Sequence, residues 1–178
     1  VPSQDHATCA VHAAIGMAQA VQQLNQEHRA QGLPEVGVGI GLNTGTMCVG
    51  DMGSDIRLSY TVIGAAVNLG SRLEGLSKTY GVAVIASEFT QAQAPEFLWQ
   101  ELDRVRVKGK AQAVAIYTPV AQQALATPEQ AKQVETWRQF LTDYRAQDWA
   151  KCIAALHLLL RADPQSALYA LYAERLQM

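Results

Sequence analysis

The stretch Ser59-Tyr60-Thr61-Val62-Ile63-Gly64-Ala65-Ala66-Val67-Asn68-Leu69-Gly70-Ser71-Arg72-Leu73-Glu74 decides the fold. Its opening, Leu58 to Ile63, is short, β-branched and aromatic, which predicts a buried strand. Gly64 breaks that strand, and the period then changes. Leu69, Leu73, Leu76 and Tyr80 recur at the spacing of an amphipathic helix. Asn68 and Arg72 lie one turn apart, about 100° round from that stripe. Both polar heads therefore emerge on one flank, near the N-terminal end of a helix that follows a strand directly. Such an end offers free N–H groups and positive potential, which suits a phosphate. By residue type alone, an Asn and an Arg on a helix are most often a solvated face.

Neighbouring motifs change that weighting. Tyr60 to Gly64, then Val67-Asn68-Leu69 and Ser71-Arg72-Leu73-Glu74, resemble the signature of class III nucleotidyl cyclases. Gly39-Ile40-Gly41-Leu42-Asn43-Thr44-Gly45, Val49-Gly50-Asp51-Met52-Gly53-Ser54 and Val107-Lys108-Gly109-Lys110 match the same family in order and spacing. The resemblance covers about Val1 to Val120.

Composition narrows the field further. At 178 residues the chain holds one medium domain, or a domain and an appendage. It is 49% apolar and 17% charged, ordinary for a globular protein. A net charge of -2 gives no basic field for nucleic acid. An RNA-binding sandwich would need a basic face and exposed strand aromatics, and neither is visible. Cys9, Cys48 and Cys152 are odd in number and lack metal-ligand spacing, so they read as reduced, cytosolic, mostly packed thiols. His6, His12, His28 and His157 form no metal pattern. No run reaches the roughly 20 apolar residues of a membrane span, and no signal peptide is evident. The chain opens on Val1, ahead of a helix, and reads as a fragment of something longer.

Ser3 or Asp5 can cap a first helix running to about Ala30, with Ala10, Ala14, Met17, Val21 and Leu24 as its inward stripe. Val36 to Leu42 alternates apolar residues with Gly37, Gly39 and Gly41, which predicts a strand with one bare face. That face lets a helix or a partner subunit approach the backbone. The glycines sit inside the strand, so they are no dinucleotide fingerprint. Asn43-Thr44-Gly45 reads as a hairpin turn, Thr46 to Val49 as the returning strand, and Gly50 to Asp55 as a loop. Gly81 ends the signature helix. Val82 to Ala86 is a short buried strand, and Ser87 caps a brief helix broken at Ala94-Pro95. Leu98 to Val107 and Ala113 to Val120 are strands joined at Lys108-Gly109-Lys110. Mixed hairpins and helices argue for an α+β sandwich rather than a doubly wound sheet.

Residues 121–127 read as a linker, and Thr127-Pro128-Glu129-Gln130 as a capping box with Pro at the first helical position. Beyond it only the helical period appears: Val134, Trp137, Leu141 and Tyr144, then Trp149, Ile153, Leu156 and Leu160, then a third helix over about Ser166 to Leu176. Gln147-Asp148-Trp149 through Asp163-Pro164 resembles a single tetratricopeptide unit. One such unit buries little alone, so the tail over 128–178 should dock on the rest of the chain or on a partner. Trp137 and Trp149 read as packing residues.

The family resemblance implies a ferredoxin-like nucleotidyl cyclase sandwich, truncated at its N-terminus and followed by an all-α C-terminal extension. It implies pairing with a second copy or a related domain, head to tail, with ATP as substrate. One side of each site holds two ions (Mg2+ or Mn2+) on two aspartates, and those ligands lie upstream of Val1. This chain matches the other side. Thr61 corresponds to the residue at the adenine edge and favours ATP over GTP. Asn68 would orient the ribose, Arg72 would meet the α-phosphate, and Lys108 the terminal phosphates. The missing segment would also leave sheet edges unpaired. Two departures, Ala65 in place of a common Asp and Gly70 in place of a common Ala, each weaken the helix by about 1 kcal/mol. They give some weight to an alternative, a degenerate cyclase-homology domain that pairs with others and regulates them.

Overall fold

The strands fall into two sheets of unlike character. The computed structural model describes residues 5–54, 57–106 and 113–177. In it, β1 (Ile40–Leu42), β4 (Val84–Ser87), β6 (Val114–Gln122) and β5 (Phe97–Val105) form a four-stranded sheet in that order. β1 is parallel to β4, and the other two pairings are antiparallel. β2 (Cys48–Ser54) and β3 (Arg57–Ile63) form a separate antiparallel pair, with Cys48 opposite Ile63. The helices are α1 (His6–Ala30), α2 (Ala65–Tyr80), α3 (Glu88–Gln91), α4 (Pro128–Arg145), α5 (Trp149–Ala162) and α6 (Ala167–Arg175). The α+β expectation holds, with helices gathered at the C-terminal end.

The β1–β3 region departs from the sequence reading. Asn43-Thr44-Gly45 does not return the chain to a neighbouring strand, because β1 takes β4 as its partner. Residues 50–54, expected as a loop, belong to β2. The strand expected over Val36 to Leu42 shrinks to three residues. Asn25 on α1 explains part of this: its Nδ2 donates to the Val36 carbonyl at 2.8 Å, and Val36 N–H donates to its Oδ1 at 2.8 Å. Val36 is thereby satisfied outside the sheet. β3, expected to be buried, stands apart from both hydrophobic cores. Tyr60 is 76% exposed and Ile63 53%.

The bare glycine face meets α2. A Cβ on Gly41 would overlap the Gly70 carbonyl oxygen and lie 2.5 Å from Glu74 N. A Cβ on Gly39 would overlap Ser77 Oγ and lie 3.2 Å from the Glu74 carbonyl oxygen. The glycines therefore let α2 lie directly on the β1 backbone.

Two cores result. The smaller joins Ala7 and Val11 of α1 to Ala86, Ala94, Phe97 and Trp99. Met17 and Leu24, expected on the inward stripe of α1, are exposed, Met17 by 52%. The buried positions are Ala7, Val11 and Ala14, and the last turns of the helix make polar contacts at the surface. There His28 Nδ1 approaches the Pro34 carbonyl at 2.7 Å, and Arg29 pairs with Glu35 at 2.7 Å.

The larger core runs through the sheet into the tail. It unites Leu69, Leu73 and Tyr80 of α2 with Ile85, Leu102 and Ile116, and with Trp137, Phe140, Leu156, Tyr169 and Tyr172. Trp137 is fully buried, stacked on Phe140 at 4.7 Å, and its Nε1–H donates to the Glu101 carbonyl at 2.5 Å. The tail thus docks on the sheet. β6 runs on to Gln122, a single 3-10 turn spans Gln123–Leu125, and the Thr127 capping box forms with both of its hydrogen bonds. Trp149 and Ile153 do not join the core: Trp149 is 47% exposed and meets Tyr144 edge to face. On α5 the buried stripe is Cys152, Leu156 and Leu159, one position round from the expected one. Cys9 and Cys48 are exposed, so of the three thiols only Cys152 is packed.

Candidate active site

The turn from β3 into α2 depends on Gly64. Its φ of 152° and ψ of 165° lie in a region open essentially to glycine alone. Gly64 is the N-cap and makes no side-chain cap bond. Residue 65 therefore lies inside the helix, where an acid would act on the dipole rather than as a cap. Asn68 N–H donates to the Gly64 carbonyl at 3.1 Å, the first helical bond. The N–H groups of the preceding turn have no helical acceptor and face outward from the end.

The helix buries Leu69, Leu73 and Tyr80, with Leu76 half-buried, as the spacing predicts. Asn68 and Arg72 lie off that stripe and are exposed. Thr61 is exposed on β3, opposite Gly50. Three of the four expected substrate-binding side chains thus sit on consecutive elements joined by one glycine. Lys108 lies outside the described residues.

Asn43, read from sequence as a turn residue, proves to be a bridge. Its Nδ2 donates to the Ala66 carbonyl at 2.9 Å, in the first turn of α2. Its Oδ1 accepts from Ser87 Oγ at 2.6 Å, and Ser87 Oγ also accepts the Thr90 N–H at 3.4 Å. Thr44 and Thr90 hydroxyls meet at 3.1 Å. Ser87 and Thr90 are buried. This chain of bonds ties the end carrying Asn68 to the C-terminal ends of β1 and β4. Asn43 lies in the family-matching run Gly39 to Gly45, but its bridging contacts were not legible there, because its partners are 23 and 44 residues away.

The arrangement is one open wall. It can offer an amide, a guanidinium and a helix N-terminus to an anionic ligand, but it encloses nothing by itself. Among the described residues, no three His, Cys, Asp or Glu side chains cluster to hold a metal. These residues do not fit the pair of Mg2+ or Mn2+ ions that the resemblance implies. No helix of the described residues is long and apolar enough to cross a membrane.

Known proteins share this frame. The model of the adenylate and guanylate cyclase catalytic domain matches residues 1–120. An adenylate cyclase of Anabaena cylindrica is 44% identical over 117 residues, spanning 61% of this chain and 23% of that protein. The chain therefore spans less than a quarter of that curated relative. The adenylyl cyclase CyaB from P. aeruginosa superposes with a TM-score of 0.55 at 34% identity, covering 66% of this chain and 62% of that one. The guanylyl cyclase Cya2 superposes with a TM-score of 0.58 at 30% identity, covering 71% and 64%. With the strand–glycine–helix unit intact and two thirds of its length matched, this chain belongs to the adenylate and guanylate cyclase catalytic domain family.

Proposed function

We propose that this chain supplies one side of a paired adenylate cyclase site that converts ATP to 3′,5′-cyclic AMP and pyrophosphate. The reading rests on one observation: Asn68 and Arg72 are both exposed on one flank of α2, directly after an exposed, apolar strand. Tyr60, Val62 and Ile63 offer a surface that a second copy or a related domain could cover. Thr61 would then contact the adenine edge and Asn68 the ribose. Lys108 would meet the terminal phosphates.

In the reaction the ribose 3′-oxygen bonds to the α-phosphorus and gives up its proton. The bond from that phosphorus to the bridging oxygen breaks, and pyrophosphate departs with the electron pair. Negative charge gathers on the five-coordinate phosphorus, and the planar donor fork of Arg72 is suited to it. The aspartates that hold the family's ions match no position in this sequence. The chain alone, even as a homodimer, is therefore expected to make no cyclic AMP above a blank. Residues 128–178 would form a tetratricopeptide-like tail after a junction at 121–127.

The test is a cyclase assay on the full-length parent with ATP and GTP. Arg72→Ala and Asn68→Ala should each lower kcat by about 100- to 1000-fold, the usual cost of losing one transition-state donor. KM should move little. Intact turnover in both variants would overturn the assignment and favour a regulatory cyclase-homology module.

A further inference from the structure

The tail's contact with α2 falls on the helix that carries the proposed catalytic side chains. Tyr80, the last residue of α2, is buried, and its Oη donates to Asp103 Oδ2 at 2.8 Å. Arg175, the last residue of α6, donates through Nη1 to that same oxygen at 2.8 Å. The other carboxylate oxygen accepts the Arg104 N–H at 2.7 Å. A register shift between Glu101 and Asp103 places this carboxylate at a bulge in β5. The Arg175 guanidinium also lies 4.5 Å from the Tyr172 ring centre, and Tyr172 Oη donates to the Leu102 carbonyl at 3.0 Å. Gly81, at φ 65°, ends α2 against Ala167 of α6.

We propose that Arg175 is a positioning residue: acting through Asp103 and Tyr80, it fixes the axial rotation of α2 and so aims Asn68 and Arg72. The proposal rests on the catalytic reading of those two side chains. A helix is stiff over this distance, so a rotation at Tyr80 reaches Arg72 with little loss. Side-chain heads lie about 5–6 Å from the helix axis, so a turn of about 10° moves them by about 1 Å. A misplacement of about 1 Å can cost about 100-fold in rate. Asn43 holds the opposite end of α2 through a backbone carbonyl, and Leu69, Leu73 and Tyr80 on its inner face share one buried core with Trp137, Tyr169 and Tyr172 of the tail. The extension is then part of the catalytic apparatus, and anything that shifts α6 would reach the active site.

The experiment uses the full-length parent, held at a temperature where every variant is fully folded. Arg175→Ala should lower kcat about tenfold with KM within about twofold, and Arg175→Lys should recover part of the loss. Tyr80→Phe breaks the same chain from the other side, so the double variant should be no slower than the worse single one. In this chain, amide NMR shifts at Asn68 and Arg72 should move on Arg175→Ala, although the substitution is remote. Unchanged kcat, or shifts confined to the surroundings of Asp103, would reduce the tail to a scaffold and overturn the proposal. Arg72→Ala run alongside separates the failures: if it retains turnover while the remote shifts appear, the site reading is wrong and the coupling stands.

Discussion

Two glycines facing each other across β1 and α2 should respond to alanine with opposite signs. At Gly41 the added methyl would overlap the Gly70 carbonyl oxygen and sit 2.5 Å from Glu74 N and 3.1 Å from the Gly70 carbonyl carbon. All three are backbone atoms, so no side chain can rotate aside. Ordinary contact needs about 3.5 Å, so α2 must retreat by more than about 1 Å. Overpacking on this scale costs about 1–3 kcal/mol. At Gly70 the added methyl would meet the Gly41 carbonyl oxygen at 3.7 Å and Asn43 Cβ at 3.8 Å, both ordinary contacts. Gly70 lies inside α2, so alanine there should stabilise by up to about 1 kcal/mol through helix propensity. Urea unfolding reads both, with m unchanged and the midpoint moving down for Gly41→Ala and up for Gly70→Ala. The same retreat carries Asn68 and Arg72 with it, so Gly41→Ala should also cut turnover in the parent while Gly70→Ala leaves it intact. A neutral Gly41→Ala, or equal losses at both glycines, would refute the argument that bare backbone seats this helix.

The other expectations concern the tail and its junction. Thr127 closes a capping box, accepting the Gln130 N–H at 3.2 Å while its own N–H reaches Gln130 Oε1 at 2.9 Å. Thr127→Ala should cost about 1 kcal/mol in urea unfolding and leave the helix content of α5 and α6 unchanged. The Tyr80–Asp103–Arg175 cluster should make stability fall at both ends of the pH scale. Burial first, then the bond to Asp103, pushes the Tyr80 pKa up to about 12, and burial likewise raises Tyr172. An unfolded tyrosine ionises near pH 10, so their contribution is complete below that and is lost as pH rises through the folded values. Burial alone would raise Asp103, but bonds from Arg175, Tyr80 and the Arg104 N–H outweigh it and hold the carboxyl below its usual range. Its contribution is therefore present above about pH 4 and lost as pH falls through the depressed value. Urea midpoints measured between about pH 3 and 11 should show both declines, and Asp103→Asn should flatten the acid one.

Much of this architecture was legible because the signals were local. The Leu69, Leu73, Tyr80 spacing, the stop at Gly81, the Ser87 cap and the Thr127 box all depend on residues within a few positions of one another, and all appear as read. Most of the failures have the opposite cause. Tyr60, Val62 and Ile63 have strand chemistry, but nothing local says that their pair stands off from the main sheet. Val36 leaves β1 in part because a side chain on α1, eleven residues away, satisfies its backbone. The stripe of α5 was misplaced by one position because Leu158, Leu159 and Leu160 run together, so the period alone cannot choose among them. Asn43 was legible only as a turn former, since its function is to join three distant segments.

That contrast bears on how the site is built. Residue identity named Asn68 and Arg72, but the helix that carries them is held by groups outside it: Gly41 under the helix, Asn43 at its start, and Asp103 with Arg175 at its end. The contacts named for each fall on the backbone or on the terminal residue of α2. The helix is held at both ends and seated in the middle, which suits a site completed by a second surface. A loose helix would lose entropy each time that surface closed on the nucleotide, whereas a pre-positioned one spends the binding energy on the reacting phosphate.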